Sequence, residues 1–322
     1  MKKIFALAMT GSLFFAACTK ADLNDDAVND LAPSTGRKCG SYEVLEQQMA
    51  ADPTLRIRMQ QIEEFTQRTI ADPVSYRLLS DGTMEIPVVF NVLYNTAAQN
   101  LSLTQLQSQI DVLNEDYSAT NTDYNNTPSI FQSVRAGDTR IRFVLDQVVR
   151  KQTNKTSWTT NDAMKKSAQG GIDATSPTTK LNIWVCNLSG GILGYAQFPG
   201  GKAATDGVVL DDNATGRTGT VTAPYNKGRT ATHEIGHWFN LRHIWGDATC
   251  GNDLVNDTPL HNAANYGCPA AGHKSTCTGT PVEMTMNYMD YTDDACMYMF
   301  TAGQKARMQA TYAIGGPRAS FR

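Results

Sequence analysis

The chain is 322 residues long, 41% hydrophobic and 18% charged, with a formal net charge of −3 at pH 7. That length supplies one large domain or two with an ample core, and the slight acidity excludes a protein held to nucleic acid by a basic surface. No internal repeat or low-complexity segment divides the sequence.

The chain opens on export signals. Lys2 and Lys3 precede an apolar run over residues 4–17, the make-up of a signal peptide and too short for a stable membrane span. Phe14-Phe-Ala-Ala-Cys18 has the form of a bacterial lipobox, with Phe15 where leucine is usual. Two outcomes stand: a lipid on Cys18 after cleavage, and plain secretion. Residues 19–33 are polar and acidic, suited to a tether. Past the short motif Arg37-Lys-Cys-Gly40, residues 42–70 read as helical, with Ile57, Ile62 and Phe65 among charges and Pro53 and Pro73 as breaks.

Strand signals begin at residue 85. Glu85-Ile-Pro-Val-Val-Phe-Asn-Val-Leu-Tyr94 is β-branched and aromatic enough for a core strand. Ser102 and Gln105 form a capping-box signal ahead of Leu106, Ile110, Leu113 and Tyr117 at helical spacing. Residues 140–146 alternate, with Ile141, Phe143 and Leu145 on one face; residues 180–186 alternate likewise, burying Leu181, Ile183 and Val185. Between them, residues 152–166 are rich in Thr and Lys and read as a solvated loop. Leu193-Gly-Tyr-Ala-Gln197, flanked by glycine pairs, suits a sheet edge, and Gly207-Val-Val-Leu210 makes a fifth strand.

The densest chemistry lies in Thr230-Ala-Thr-His-Glu-Ile-Gly-His-Trp-Phe-Asn-Leu-Arg-His243, which holds three of the chain's five histidines. His233 and His237 at i and i+4 share one helix face, and Glu234 completes the H-E-x-x-H pattern of two zinc ligands and a proton-transferring carboxylate. His243 is six residues beyond His237, so it joins them only if the helix stops and the chain turns back. Asn240 stands where that turn needs a left-handed residue. Three imidazoles with one open position describe a catalytic rather than a structural zinc site. The bland alternative is a helix with surface histidines. After His243 periodicity fades; Cys250, Cys268, Cys277 and Cys296 offer two disulfides in any of three pairings, and Cys186, inside a strand, reads as a buried free thiol. Asn252-Asp-Leu-Val-Asn-Asp-Thr258 offers the hard oxygens that calcium takes, or is a solvated turn. Thr301 and Gln304 form a second capping box, opening a C-terminal helix to about residue 313.

These motifs carry a resemblance. The histidine pattern is similar to the metzincin signature, in which glycine usually stands at the place of Asn240. Together with Ile244-Trp-Gly-Asp247, Asp257-Thr-Pro259 and Asn287-Tyr-Met-Asp-Tyr-Thr-Asp-Asp-Ala-Cys296, it resembles the pappalysin family, in its ulilysin-like branch, from about residue 85 onward. The resemblance implies an α/β metzincin-type zincin: a twisted, mostly parallel mixed sheet with a backing helix and the zinc helix, above an irregular, disulfide-linked C-terminal subdomain. It implies the pairs Cys250–Cys277 and Cys268–Cys296, calcium at Asp253 and Thr258, Met289 in a turn beneath the zinc, and Tyr291 near the metal as a donor to the developing oxyanion. Residues 192–196 take the substrate-pairing edge. It places Asp294 at the base of the pocket for the residue after the scissile bond, where a carboxylate favours Arg and, less well, Lys. Cys39 resembles the latency cysteine of such precursors, the alternative being a spare thiol in a tail.

The implied protein is an exported zinc endopeptidase, secreted or held at the outer cell surface by a lipid, monomeric, with Glu234 as general base. Its parts are a signal peptide (1–18), a tether and pro-segment (19–84) and the catalytic domain (85–322). Leu55–Arg56 and Ile57–Arg58 are the candidate self-activation bonds. Two rivals are a surface binding protein that keeps the zinc fold without proteolysis, and a zinc peptidase with a Glu third ligand, against which His243 and the Met289 turn speak.

Overall fold

A parallel strand covered on both faces needs apolar residues at successive positions, and the strand β1, Met84–Tyr94, has them at Val88, Val89, Phe90, Val92 and Leu93, interrupted by a buried Asn91 that donates to Asn182. The computed structural model describes residues 36–72 and 82–321; the signal peptide, Cys18, the tether up to residue 35 and Pro73 lie outside them. β1 runs parallel to β2 (Ile141–Gln152) on one side and to β3 (Leu181–Cys186) on the other. β3 pairs in parallel with β5 (Val208–Asp211), and the short β4 (Gly194–Ala196) closes the sheet antiparallel to β5, giving the order β2-β1-β3-β5-β4. The sheet is therefore mixed, and β4 is its edge.

One sheet face meets the helix α3, Leu103–Ser118, and the zinc-motif helix α4, Arg229–Trp238. Phe90, Val92, Ile183, Val185 and Leu210 pack there with Leu106, Ile110, Leu113 and Tyr117 of α3 and Ile235 of α4. Ser102 caps α3 by accepting the Gln105 amide. The Gln105 side chain does not return to close the box; it donates to the Thr215 carbonyl.

The opposite face corrects one expectation. The loop over residues 152–166 is not merely solvated, because Trp158, Ala163 and Met164 bury themselves in a second apolar cluster with Leu93, Trp184, Cys186, Tyr195 and Val209. That cover is why all six residues of β3 are buried and not the alternate three. Cys186 is a buried free thiol.

Residues 41–71 form two helices, α1 (Ser41–Ala51) and α2 (Thr54–Ala71), broken at Asp52-Pro53. They do not stand apart: the chain from Gly36 on is one compact unit. Among the described residues no helix or strand occurs between Trp238 and the C-terminal helix α5 (Ala302–Tyr312), which opens on the complete Thr301–Gln304 capping box. That stretch is held by disulfides Cys250–Cys277 and Cys268–Cys296 and by a buried polar cluster in which Asn265 Nδ2 donates to both Glu283 and Asp290. No described helix is long and apolar enough to cross a membrane.

Candidate metal centre and cleft

The site is built on α4. Its N-terminus is fixed from outside the helix: one carboxylate oxygen of Asp294 accepts the amides of Lys227 (2.8 Å) and Arg229 (3.3 Å), charge-matched to the positive end of the helix dipole. At its other end Asn240 adopts φ +69° and the Leu241 amide returns to the Gly236 carbonyl, so the chain reverses and carries His243 back toward the helix.

His237 Nε2 lies 3.2 Å from His233 Nε2 and 3.1 Å from His243 Nε2. Each ring turns its other nitrogen outward: His233 Nδ1 to the Tyr288 carbonyl at 2.6 Å, His237 Nδ1 to the Leu241 carbonyl at 2.7 Å, and His243 Nδ1 to the Asp247 carboxylate. A carbonyl accepts only, so Nδ1 carries the proton in the first two rings and Nε2 is bare. Burial pushes His233 well below the usual histidine range and His237 down to about 3, with the neighbouring rings adding to the effect. Neutral imidazoles are what zinc binds, and tetrahedral bonds of about 2.0–2.1 Å set ligand nitrogens roughly 3.3 Å apart. The donor set fits zinc.

Around the rings, Met289 packs beneath α4 at Gly236, where an added Cβ would come within 2.5 Å of its sulfur. The Tyr291 ring lies edge-on to His243 at 4.9 Å between centroids. Glu234 reaches beneath the edge strand at Gly194, where a Cβ would stand 2.9 Å from both Glu234 Cγ and the Val209 carbonyl. Burial pushes Glu234 up to about 7, against hydrogen bonds from Ser41 and Cys39.

Those last two partners come from residues 36–41, which thread the cleft. The Leu193 amide donates to the Lys38 carbonyl and the Gly40 amide to the Gly194 carbonyl, a parallel bridge of Cys39 to the edge strand. Cys39 Sγ and the ligand nitrogens of His233, His237 and His243 all lie within 4.8 Å of one another. The Ser41 hydroxyl donates to Glu234 at 2.8 Å and accepts the Ala196 amide at 2.8 Å. Tyr291 donates its phenol to the Cys39 carbonyl at 3.3 Å. Arg37 is buried: its guanidinium meets Asp294 Oδ1 at 2.5 Å, Thr230 Oγ1 at 3.2 Å and the Thr292 carbonyl at 3.4 Å, and lies over the Tyr225 ring.

Away from the histidines, the Thr258 hydroxyl lies 3.0 and 2.9 Å from the two Asp253 oxygens, and burial pushes Asp253 up to about 6. Arg56 and Arg58 lie inside α2, so the Leu55–Arg56 and Ile57–Arg58 bonds are helical, with Leu55 buried. Reading the sequence missed Arg37, Ser41, Thr230 and Tyr225 as cleft residues. Only Arg37 had a signal, an arginine two residues before Cys39 in a chain whose Asp294 was expected to hold arginine.

Residues 173–313 match the family profile of pregnancy-associated plasma protein-A peptidases. An extracellular metalloprotease of Pyricularia oryzae is 34% identical over 294 residues, 89% of this chain and 92% of that protein. Mature mirolysin of Tannerella forsythia, solved with a cleaved peptide, superposes with a TM-score of 0.72 at 45% identity, over 74% of this chain and 95% of that one. A glutamate-to-alanine variant of promirolysin from the same organism gives 0.79 at 42% identity, over 88% of this chain and 97% of that one.

Proposed function

Because the chain belongs to the pregnancy-associated plasma protein-A peptidases, the pappalysins, and is a zinc metallopeptidase related to extracellular metalloproteases, we propose that residues 36–321 form the latent state of an endopeptidase that cuts before arginine. One observation supports this reading: the buried Arg37 guanidinium pairs with Asp294 while Cys39, two residues on, lies with the three histidines. The guanidinium there has a carboxylate, a hydroxyl, a carbonyl and an aromatic face as partners. An arginine side chain from a substrate finds the same groups once Arg37 leaves.

Chain direction explains why Arg37 inhibits. A substrate with arginine after the scissile bond offers the catalytic groups the carbonyl of the residue preceding arginine. Here the residue at the histidines follows the arginine, and Glu234 meets Cys39 and Ser41 while Gly36 lies against the Tyr266 ring. The reversed segment binds like a ligand and is not cut.

His233, His237 and His243 would hold zinc, with Cys39 as fourth ligand in the latent form. When bound, zinc supplies Lewis acidity toward a carbonyl oxygen and toward water. Release of residues 36–41 frees the Leu193 amide and Gly194 carbonyl to pair an extended substrate. It also frees Glu234 to take a proton from water and return it to the leaving amine. Tyr291, no longer donating to Cys39, can donate to the oxyanion. Calcium at Asp253 and Thr258 is part of the reading, supported by a buried carboxylate beside a hydroxyl. So are the division into pro-segment and catalytic domain near residue 84, supported by the longer promirolysin match, and a lipid on Cys18.

The test is cleavage of a peptide library by the purified chain with zinc and calcium, beside a Glu234→Gln control. Cuts should concentrate before Arg, then Lys, and vanish in the control while zinc stays bound. Cutting without basic preference would discard the Asp294 assignment, and full activity in the control would overturn Glu234 as the base.

A further inference from the structure

The segment Ile244-Trp-Gly-Asp247 follows directly on the third histidine and has no part in the function described so far. It forms a tight reversal: the Gly246 amide donates to the His243 carbonyl at 2.8 Å, and Gly246 and Asp247 both adopt left-handed conformations, φ +64° and +58°. A non-glycine residue held there is strained and persists only where its surroundings fix it. Here the reversal folds the Asp247 carboxylate back onto His243 Nδ1, four residues earlier. The Trp245 ring lies flat on the same imidazole, 4.3 Å between centroids and 6° between planes. Both degrees of freedom of the ring, its plane and its proton, are thereby gripped by its own sequence neighbours.

The three rings are not held alike. His233 and His237 donate to backbone carbonyls, supplied by the Met289 turn at Tyr288 and by the Asn240 reversal at Leu241. His243 stands beyond the helix end and has a charged side-chain partner. A carboxylate behind a metal-bound imidazole fixes its tautomer and raises its basicity, and such partners are commonly worth 10–100-fold in metal affinity. Asp247 also borders a cavity of about 330 Å³ that it shares with His243, Trp245, Tyr42 and Tyr291, so the carboxylate keeps contact with solvent and needs no second buried partner.

We propose that Asp247 is the positioning residue of the metal centre: it holds His243 with Nδ1 protonated and Nε2 free, against the Trp245 face, and so governs how tightly the metal is retained. This rests on the three-histidine zinc reading. The full chain carrying Glu234→Gln, which removes self-cleavage, is the parent for the test. Asp247→Gly removes the carboxylate and keeps a residue at ease in the left-handed turn; Asp247→Asn keeps an acceptor and loses the charge. Zinc affinity is read by competition with a chromophoric chelator, and site geometry by the visible bands of the cobalt-substituted protein. The glycine variant should bind zinc roughly 10–100-fold more weakly, the asparagine variant should fall between it and the parent, and both should show altered cobalt bands with an unchanged melting point of the metal-free protein. Affinities within twofold of the parent and unchanged bands would overturn the proposal, as would weakening that only follows a lower melting point of the metal-free protein. Should the glycine variant not fold, the asparagine variant decides by the same criteria. A parent that binds no zinc would instead sink the zinc reading itself.

Discussion

At the scale of single residues, the proposed latency would rest on more than a thiol. Ser41 uses one hydroxyl twice, donating to Glu234 and accepting the Ala196 amide of the edge strand. In the proposed latent form it would hold the Glu234 carboxylate and occupy a backbone donor at once. A hydrogen bond to a charged buried group contributes about 1.5–3 kcal/mol, roughly 10–100-fold in the balance between closed and open forms. Ser41→Ala should therefore raise the initial rate of the intact chain on a short Xaa-Arg peptide by about that factor, before any shortened product appears on a gel, and Ser41→Thr should restore latency. A Ser41→Ala chain as silent as the parent would leave Cys39 and Arg37 as sufficient locks. The histidines and Glu234 were legible because they sit in one short run with its own spacing. The Arg37–Asp294 pair was not, since its members are 257 residues apart and the one link between them was the expected preference of Asp294 for arginine.

At the scale of elements, α3 and α5 could be read because period and N-cap agree with burial, α4 from its histidine motif, and β1 and β3 from their β-branched and aromatic content, although the alternation of β3 understated its burial. The cover over residues 152–166 escaped because Trp158 and Met164 are single apolar residues in a polar context, placed by tertiary packing alone. The irregular stretch after His243 depends instead on buried polar groups. His261 lies 3.7 Å from Glu283 and 3.6 Å from Asp290, Asn265 bridges the two carboxylates, and His273 faces Glu283 from the solvent side. Burial pushes Asp290 up to about 7 from 3.8 and His261 down to about 4 from 6.5. The raised aspartate contributes stability that is full below 3.8 and lost as pH rises through 7. The depressed histidine contributes stability that is full above 6.5 and lost as pH falls through 4. Their slopes oppose one another across the same window, so this cluster should leave the melting temperature nearly level there. Asp290→Asn removes the falling slope only. Its melting temperature should climb by roughly a few °C more than the parent's between about pH 4 and 6.5; parallel profiles would show that the two groups do not act as a compensating pair.

At the scale of the whole molecule, α1 and α2 reach across the chain, so the pro-segment proposed above would act as a brace and not only as a plug in the cleft. Beyond residues 36–41, Arg58 Nε donates to the Gly200 carbonyl at 2.8 Å. Farther along α2, Glu63 takes the guanidinium of Arg307 on α5 through two bonds of 2.9 and 2.7 Å. Arg307 is buried at 2% exposure, whereas the Glu63 side chain keeps 27%. Solvent screening discounts the Coulombic share, yet stripping this partner from a buried guanidinium leaves it one hydrogen bond among the described residues, to the Leu254 carbonyl, with the Asp253 carboxylate near enough to act on it through its charge. A loss of about 1–3 kcal/mol is reasonable for such a two-point charge-assisted contact. The bonds before Arg56 and Arg58 are helical, so cutting either requires α2 to lift and unwind first. The rate of activation should then follow the strength of this distant clasp with every residue of the metal centre unchanged. Burial alone would raise the Glu63 carboxyl, but Arg307 holds it below its ordinary value of 4.5. Its contribution is accordingly full above 4.5 and lost as pH falls through the depressed value. Glu63→Ala should mature roughly 5–100-fold faster than the parent at pH 7, with equal zinc content, and the gap should narrow in acid where the parent's own clasp releases. Equal maturation rates at pH 7 would mean that α2 opens without parting from α5. Residues 36–41 would then be held by the cleft alone.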